Sequence, residues 1–181
     1  MKRPKIRTRV TAAAAAIFIS SALVLVQGGP ANAYSLYGCK WSSATISIRN
    51  ITAGVYSTAS SAAILSWSNL TDVTLTASSS SPFVVTTYNA NDGLAGKTTM
   101  STATNAFGCT ITGANAAGNT YTGASYSAGK KRFAYAHELG HALGLNHSAN
   151  NTVMAPFASY YDTYLNNVPT TDDINGINAI Y

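Results

Sequence analysis

Three observations in this sequence predict an α+β fold. Stretches between residues 41 and 88 alternate apolar and small polar side chains, residues 130–144 carry apolar groups at helical period, and residues 170–181 read as a capped helix. Taken in order, Ile46 and Ile48 alternate with small polar residues across Trp41–Arg49, which predicts a strand. From Thr58 to Ser68 the chain is rich in Ala and Ser, with Ala59, Ala63 and Trp67 at helical spacing, so a helix is expected there. Val73–Ala77 and Phe83–Tyr88 read as two more strands, separated by a serine loop at Ser78–Ser81. Asn89–Gly93 is a turn, and Thr98–Tyr126, rich in Gly, Asn and Thr, is expected to hold short strands without legible limits. Phe133, Ala136, Leu139, Gly140 and Leu143 then follow a helical period that stops at Gly144. The last helix has Thr170 or Thr171 as N-cap, Asp172 and Asp173 in its first turn, and Ile174, Ile177 and Ile180 turned inward.

The first 33 residues are set apart from this fold. Lys2, Arg3, Lys5, Arg7 and Arg9 form a positive segment, an apolar run follows from Val10 to Val26, and Ala31-Asn32-Ala33 supplies a small-x-small cleavage pattern, so residues 1–33 read as a signal peptide. An uncleaved anchor is the alternative, but the run falls short of the ~20 apolar residues that a span needs. Cleavage would leave one domain at residues 34–181, too short for two ordinary ones. Five of the eleven basic residues lie in the signal, so the remaining six face six acidic residues and the domain is neutral. That balance excludes a nucleic-acid partner and, after cleavage, an anionic membrane surface. Export and an even cysteine count favour a Cys39–Cys109 disulfide, with a zinc-thiolate site as the rival.

All three histidines and the chain's single glutamate fall within His137–His147, in the stretch His-Glu-Leu-Gly-His-Ala-Leu-Gly-Leu-Asn-His. His137 and His141 are four apart on the expected helix, so both imidazoles leave one face and can grip one ion. Gly144 can take the left-handed conformation that ends a helix, and the resulting turn returns His147 as a third nitrogen ligand. Three imidazoles with a fourth position left to water are a catalytic zinc arrangement, because structural zinc is closed by four protein ligands. A structural zinc would need a fourth side chain, and no further histidine or glutamate exists to provide it.

The pattern His-Glu-x-x-His-x-x-Gly-x-x-His resembles the metzincin metallopeptidases, in which a methionine-containing turn follows the zinc motif. Met154, in Thr152-Val153-Met154-Ala155-Pro156, stands seven residues past His147, where that turn is expected; ordinary core is its other reading. Ser148, Pro156 and the closing stretch Asp172–Tyr181 are similar to the matrixin branch, as are Lys40-Trp41, Trp67-Ser68 and Leu75, while Gly93-Leu94-Ala95-Gly96 resembles its substrate-binding edge. The resemblance implies the metzincin fold: a twisted mixed sheet, an active-site helix, and a short C-terminal helix below the cleft. Two features depart from the branch. Vertebrate matrixins hold a second, structural zinc with three histidines and an aspartate, and this chain has no spare histidine. They also carry a propeptide cysteine that caps the catalytic zinc; Cys39 in that role would orphan Cys109, so the disulfide is preferred and activity on export is expected.

The resemblance implies a secreted, monomeric zinc endopeptidase acting on protein or peptide substrates, with one catalytic zinc on His137, His141 and His147. Water activated at zinc would attack the peptide carbonyl, with Glu138 as general base. The peptide would lie along Leu94 and Ala95 and send one side chain into a pocket walled by Pro156, Phe157 and Ala158. Tyr160, Tyr161 and Tyr164 either rim that pocket or cover the core. Asp72, Asp92 and Asp162 are scattered, which leaves calcium open. A catalytically silent binding module of the same fold is the alternative, and an intact Glu138 argues against it.

Overall fold

Strands β3 (Thr45–Asn50), β4 (Thr74–Ala77) and β5 (Phe83–Tyr88) run parallel to one another in a six-stranded sheet in the computed structural model, which describes residues 34–106 and 108–181. The expected signal peptide at residues 1–33 lies outside the described residues. Ile46 and Ile48 of β3 and Phe83 and Val85 of β5 are buried while their neighbours are not, the alternation expected of strands packed on one face. β3 begins at Thr45 and not at Trp41. The Trp41 ring stacks on Phe83 with centroids 5.5 Å apart, and its indole N–H donates to the Ala142 carbonyl at 2.9 Å, so the residue is committed to a helix end and not to a ladder.

The expected short strands between Thr98 and Tyr126 are instead two long ones, β6 (Gly96–Asn105) and β7 (Gly108–Asn119), paired antiparallel with a register shift between Ser101 and Thr102. Along its other edge β7 pairs in parallel with β5 over Ala114–Asn119 and with β2 (Cys39–Lys40) at Cys109 and Thr110. Small residues hide these strands from the eye. Helix α3 (Ala128–Ala142) packs so close to β7 that a Cβ on Gly118 would lie 2.7 Å from the Tyr135 phenol, so bulky alternation is impossible on that face. On β6, Ser101–Asn105 are exposed and need no apolar side chain. Among the described residues β4, β6 and the short β2 each pair with a single strand and leave their other edge open.

Helix α1 (Gly54–Leu70) is longer than the expected Thr58–Ser68, and it buries the predicted Ala59, Ala63 and Trp67. Trp67 is fully buried, worth roughly 3 kcal/mol of apolar burial, and its indole N–H donates to the Ala136 carbonyl of α3 at 3.0 Å. Leu139, Ala142 and Leu143 complete the core beneath α3 together with Leu145, Val153, Met154 and Ile177. Short helices α2 (Thr120–Gly123) and α4 (Tyr160–Tyr164) have no counterpart in the sequence reading, whereas α5 (Thr171–Asn178) starts at the expected cap, with Ile177 buried and Ile174 and Ile180 half-buried. The N-terminal arm runs through β1 (Ser35–Leu36), which pairs with β8 (Leu145–Asn146), into β2, where the Cys39–Cys109 disulfide is formed. Spanning 70 residues, that bond is worth about 4 kcal/mol in the loop-entropy account. Among the described residues no helix is long and apolar enough to cross a membrane.

Candidate active site

Helix α3 sets the spacing of the site. Ser127 caps it by accepting the Lys130 N–H at 3.2 Å, and from that start His137 and His141 fall one turn apart with ring centroids 4.6 Å from each other. Gly144, at φ 111, ends the helix; a Cβ there would stand 2.6 Å from the Cys39 carbonyl, so both the turn and the arm beside it require glycine. β8 then leads to His147, whose ring centroid lies 5.2 Å from His137 and 4.9 Å from His141. One nitrogen from each imidazole lies within 4.8 Å of the others, a set that fits a single metal ion.

Hydrogen bonds and burial fit the same use. His137 Nδ1 faces the Val153 carbonyl at 2.8 Å and His141 Nδ1 faces the Leu145 carbonyl at 2.9 Å, so both act as donors there and each Nε2 keeps its lone pair. Burial pushes His137 down to about 3 and His141 down to about 4, and it lowers His147 too, so the imidazoles are neutral at physiological pH, as ligation demands.

Beneath them lies the turn at Val153–Ala155. Met154 is buried, and its sulfur and the Trp67 ring both reach Gly140 of α3. The turn is held by Asp173, which was expected only as a charge in the first turn of the last helix. Fully buried, Asp173 accepts from the Val153 N–H at 3.0 Å, the Met154 N–H at 3.2 Å and the Thr170 N–H and hydroxyl, both at 2.8 Å. Burial raises its carboxyl despite these donors. One residue thus caps α5 and fixes the turn whose carbonyl orients His137. The Thr170-x-x-Asp173 capping box is visible in sequence; its grip on a distant turn is not.

Glu138 is 6 % exposed and faces β6, where the Thr98 hydroxyl donates to its Oε2 at 2.7 Å. Burial pushes its carboxyl up to about 7 while the Thr98 bond pulls the other way. Sequence reading had no signal for Thr98. It also missed Tyr37 on the N-terminal arm, 45 % exposed, with its ring 5.6 Å from that of His141. Leu94 and Ala95 come just before β6. Leu94 is exposed, and the carbonyls of both residues accept from Asn119, through its side chain and its backbone N–H respectively. Gly96 and Thr98, two residues further along, are the ones against Glu138. Pro156 is half-buried and Phe157 exposed, with the Phe157 ring 6.1 Å from Tyr160. Tyr161 covers α3: its ring lies 5.8 Å from Phe133, which itself lies 6.1 Å from His137.

The family model for matrixin, in the M10 group of peptidases, matches residues 45–181. Over 46 residues the chain is 52 % identical to matrix metalloproteinase-15 of Homo sapiens, and 54 % identical to matrix metalloproteinase-16 of both Rattus norvegicus and Homo sapiens. Each match spans 25 % of this chain and 7 % of the relative, so the chain covers only a small part of those proteins. Matrixins are zinc-dependent peptidases. With the family pattern running from β3 to the last residue, the chain belongs to the matrixin family.

Proposed function

We propose that this protein is an exported zinc endopeptidase, with residues 1–33 as its signal peptide and residues 34–181 as its catalytic domain. The observation that carries the reading is the convergence of three neutral imidazoles with a buried carboxylate on the next residue of the same helix. His137, His141 and His147 would hold the zinc, and a zinc ion there supplies Lewis acidity toward water and the scissile carbonyl. Glu138 takes a proton from the attacking water and returns it to the leaving amine, a role that suits a carboxyl raised toward neutrality. Asp173 and the Val153–Ala155 turn hold the His137 ring still.

Substrate would add a strand to the free edge of β6. The bond from the Asn119 N–H to the Ala95 carbonyl turns Ala95 toward β7, so by alternation Gly96, Thr98 and Met100 present their backbone groups to the open edge. Leu94 and Ala95 stand at the start of that edge, and Pro156, Phe157 and Ala158 would flank one substrate side chain. A Cys39–Cys109 bond suits an oxidising, extracellular setting. The test is hydrolysis of unfolded casein by residues 34–181 with and without a zinc chelator. Cleavage abolished by the chelator and restored by zinc is expected; cleavage indifferent to the chelator would sink the reading.

A further inference from the structure

Between α3 and β6 the site has a polar contact that the zinc motif does not require. Glu138 projects from α3 toward β6 and meets two residues on the same face of that strand. At Gly96 the strand has no side chain, and a Cβ there would lie 2.8 Å from both Cγ and Oε1 of Glu138. Two residues on, the Thr98 hydroxyl stands 2.7 Å from Glu138 Oε2 and 2.8 Å from the Glu138 main-chain carbonyl. One residue makes room for the carboxylate and the other holds it.

We infer that Thr98 is a positioning residue for Glu138: its hydroxyl fixes Oε2 and leaves Oε1, in the space opened by Gly96, as the oxygen that exchanges protons with substrate water. The inference rests on the reading of Glu138 as general base. Three physical points support it. A glutamate carries three side-chain torsions, and a buried carboxylate without a fixed partner samples several of them, whereas a base must meet its proton within hydrogen-bond reach. A charge-assisted O–H donor sets the torsions from the strand opposite, so the orientation is built by two elements and not by the helix alone. Finally, the hydroxyl has two acceptors within reach, one of them the backbone of the residue it holds. With the proton taken on Oε1, Oε2 remains a carbonyl oxygen that still accepts from the Thr98 hydroxyl, so the contact persists with the carboxyl in either form.

Zinc-loaded Thr98→Val, Thr98→Ser and Glu138→Gln, beside wild type, separate the possibilities through kcat, KM, zinc content and crystal structures. Thr98→Val keeps the shape and loses the hydroxyl; its kcat should fall roughly 10- to 100-fold, the equivalent of one hydrogen bond to a charged group. Its KM should stay within about twofold and its zinc should be unchanged, a split that general weakening of the strand would not produce. Thr98→Ser restores the donor and should recover kcat to within about threefold. In the crystals the Glu138 carboxylate should leave its position or occupy two rotamers in Thr98→Val and keep one in Thr98→Ser. Wild-type kcat in Thr98→Val, a serine variant as slow as the valine one, or an unmoved carboxylate in Thr98→Val would each overturn the inference. Glu138→Gln at full activity would instead overturn the base reading beneath it, and the two failures are thereby distinct.

Discussion

The two walls of the site are built by opposite means. On the side of α3, rare residues at fixed spacing make up the candidate site: three histidines and one glutamate on a helix and the turn after it, buttressed by Met154 and Asp173. On the side of β6, common small residues do the work through the backbone. The turn at Ala90–Leu94 is gathered by Asn119, which is 1 % exposed; its amide reaches the carbonyls of Ala90 and Leu94 at 2.8 and 2.9 Å and the Asp92 carboxylate at 2.9 Å, while its Oδ1 accepts from the Tyr121 N–H at 3.0 Å. Asn119 is thus the hub that orders the turn leading into β6. The lesson is that one wall depends on the identity of several rare side chains and the other on one buried amide that ties backbone groups together.

That contrast breaks if damage to one wall looks like damage to the other. The largest effect belongs to the helix: His141→Ala should reduce bound zinc from one ion per chain to background and abolish cleavage, as read by metal analysis and casein hydrolysis. Next comes acid, acting on the zinc-free protein. His137 and His141 sit near 3 and 4 when folded against an ordinary 6.5, so the fold resists protonation and the stability they provide is lost as pH falls below 6.5. Glu138 acts in reverse, since a carboxyl raised from 4.5 to about 7 favours the fold at low pH and loses that contribution as pH rises through the same range. Two groups against one leave a net loss of roughly 3 kcal/mol from these residues between pH 7 and pH 4. Urea unfolding should show it, and Glu138→Gln should enlarge it by removing the opposing carboxyl.

Smaller effects sharpen the other side of the contrast. Asn119→Ala should destabilise the fold by about 1–2 kcal/mol, because it removes the amide donor to the Ala90 and Leu94 carbonyls, and should raise KM with zinc content intact. A loss of zinc in that variant would show that the walls are coupled. Smallest of all is Leu94→Ala: the side chain is 50 % exposed, so stability should change by less than about 0.5 kcal/mol while KM rises. An unchanged KM would remove Leu94 from the substrate edge.

The same division decides what the sequence makes legible. His137, His141 and Gly144 declare a helix, its end and the return of His147 to the other two histidines, because a metal-binding set tolerates few spacings. Ala59, Ala63 and Trp67, and Ile46 with Ile48, announce their faces by period alone, and the structure places them in the core. β6 and β7 stay hidden because their selection is for smallness against α3 and for main-chain pairing, neither of which leaves an apolar rhythm. Asp173 reads as an ordinary cap because a local rule explains it fully, and its second task depends on a contact 20 residues away with Val153. Thr98 is one threonine among many in its stretch, and only the strand's placement against Glu138 gives it a role.

The most direct test of the central claim is to measure zinc content and casein cleavage in the same samples of wild type and Glu138→Ala. One zinc per chain in both, with cleavage in wild type alone, is the predicted result. Equal cleavage by both proteins at matched zinc would contradict the assignment of Glu138, and zinc absent from well-folded wild type would contradict the site itself.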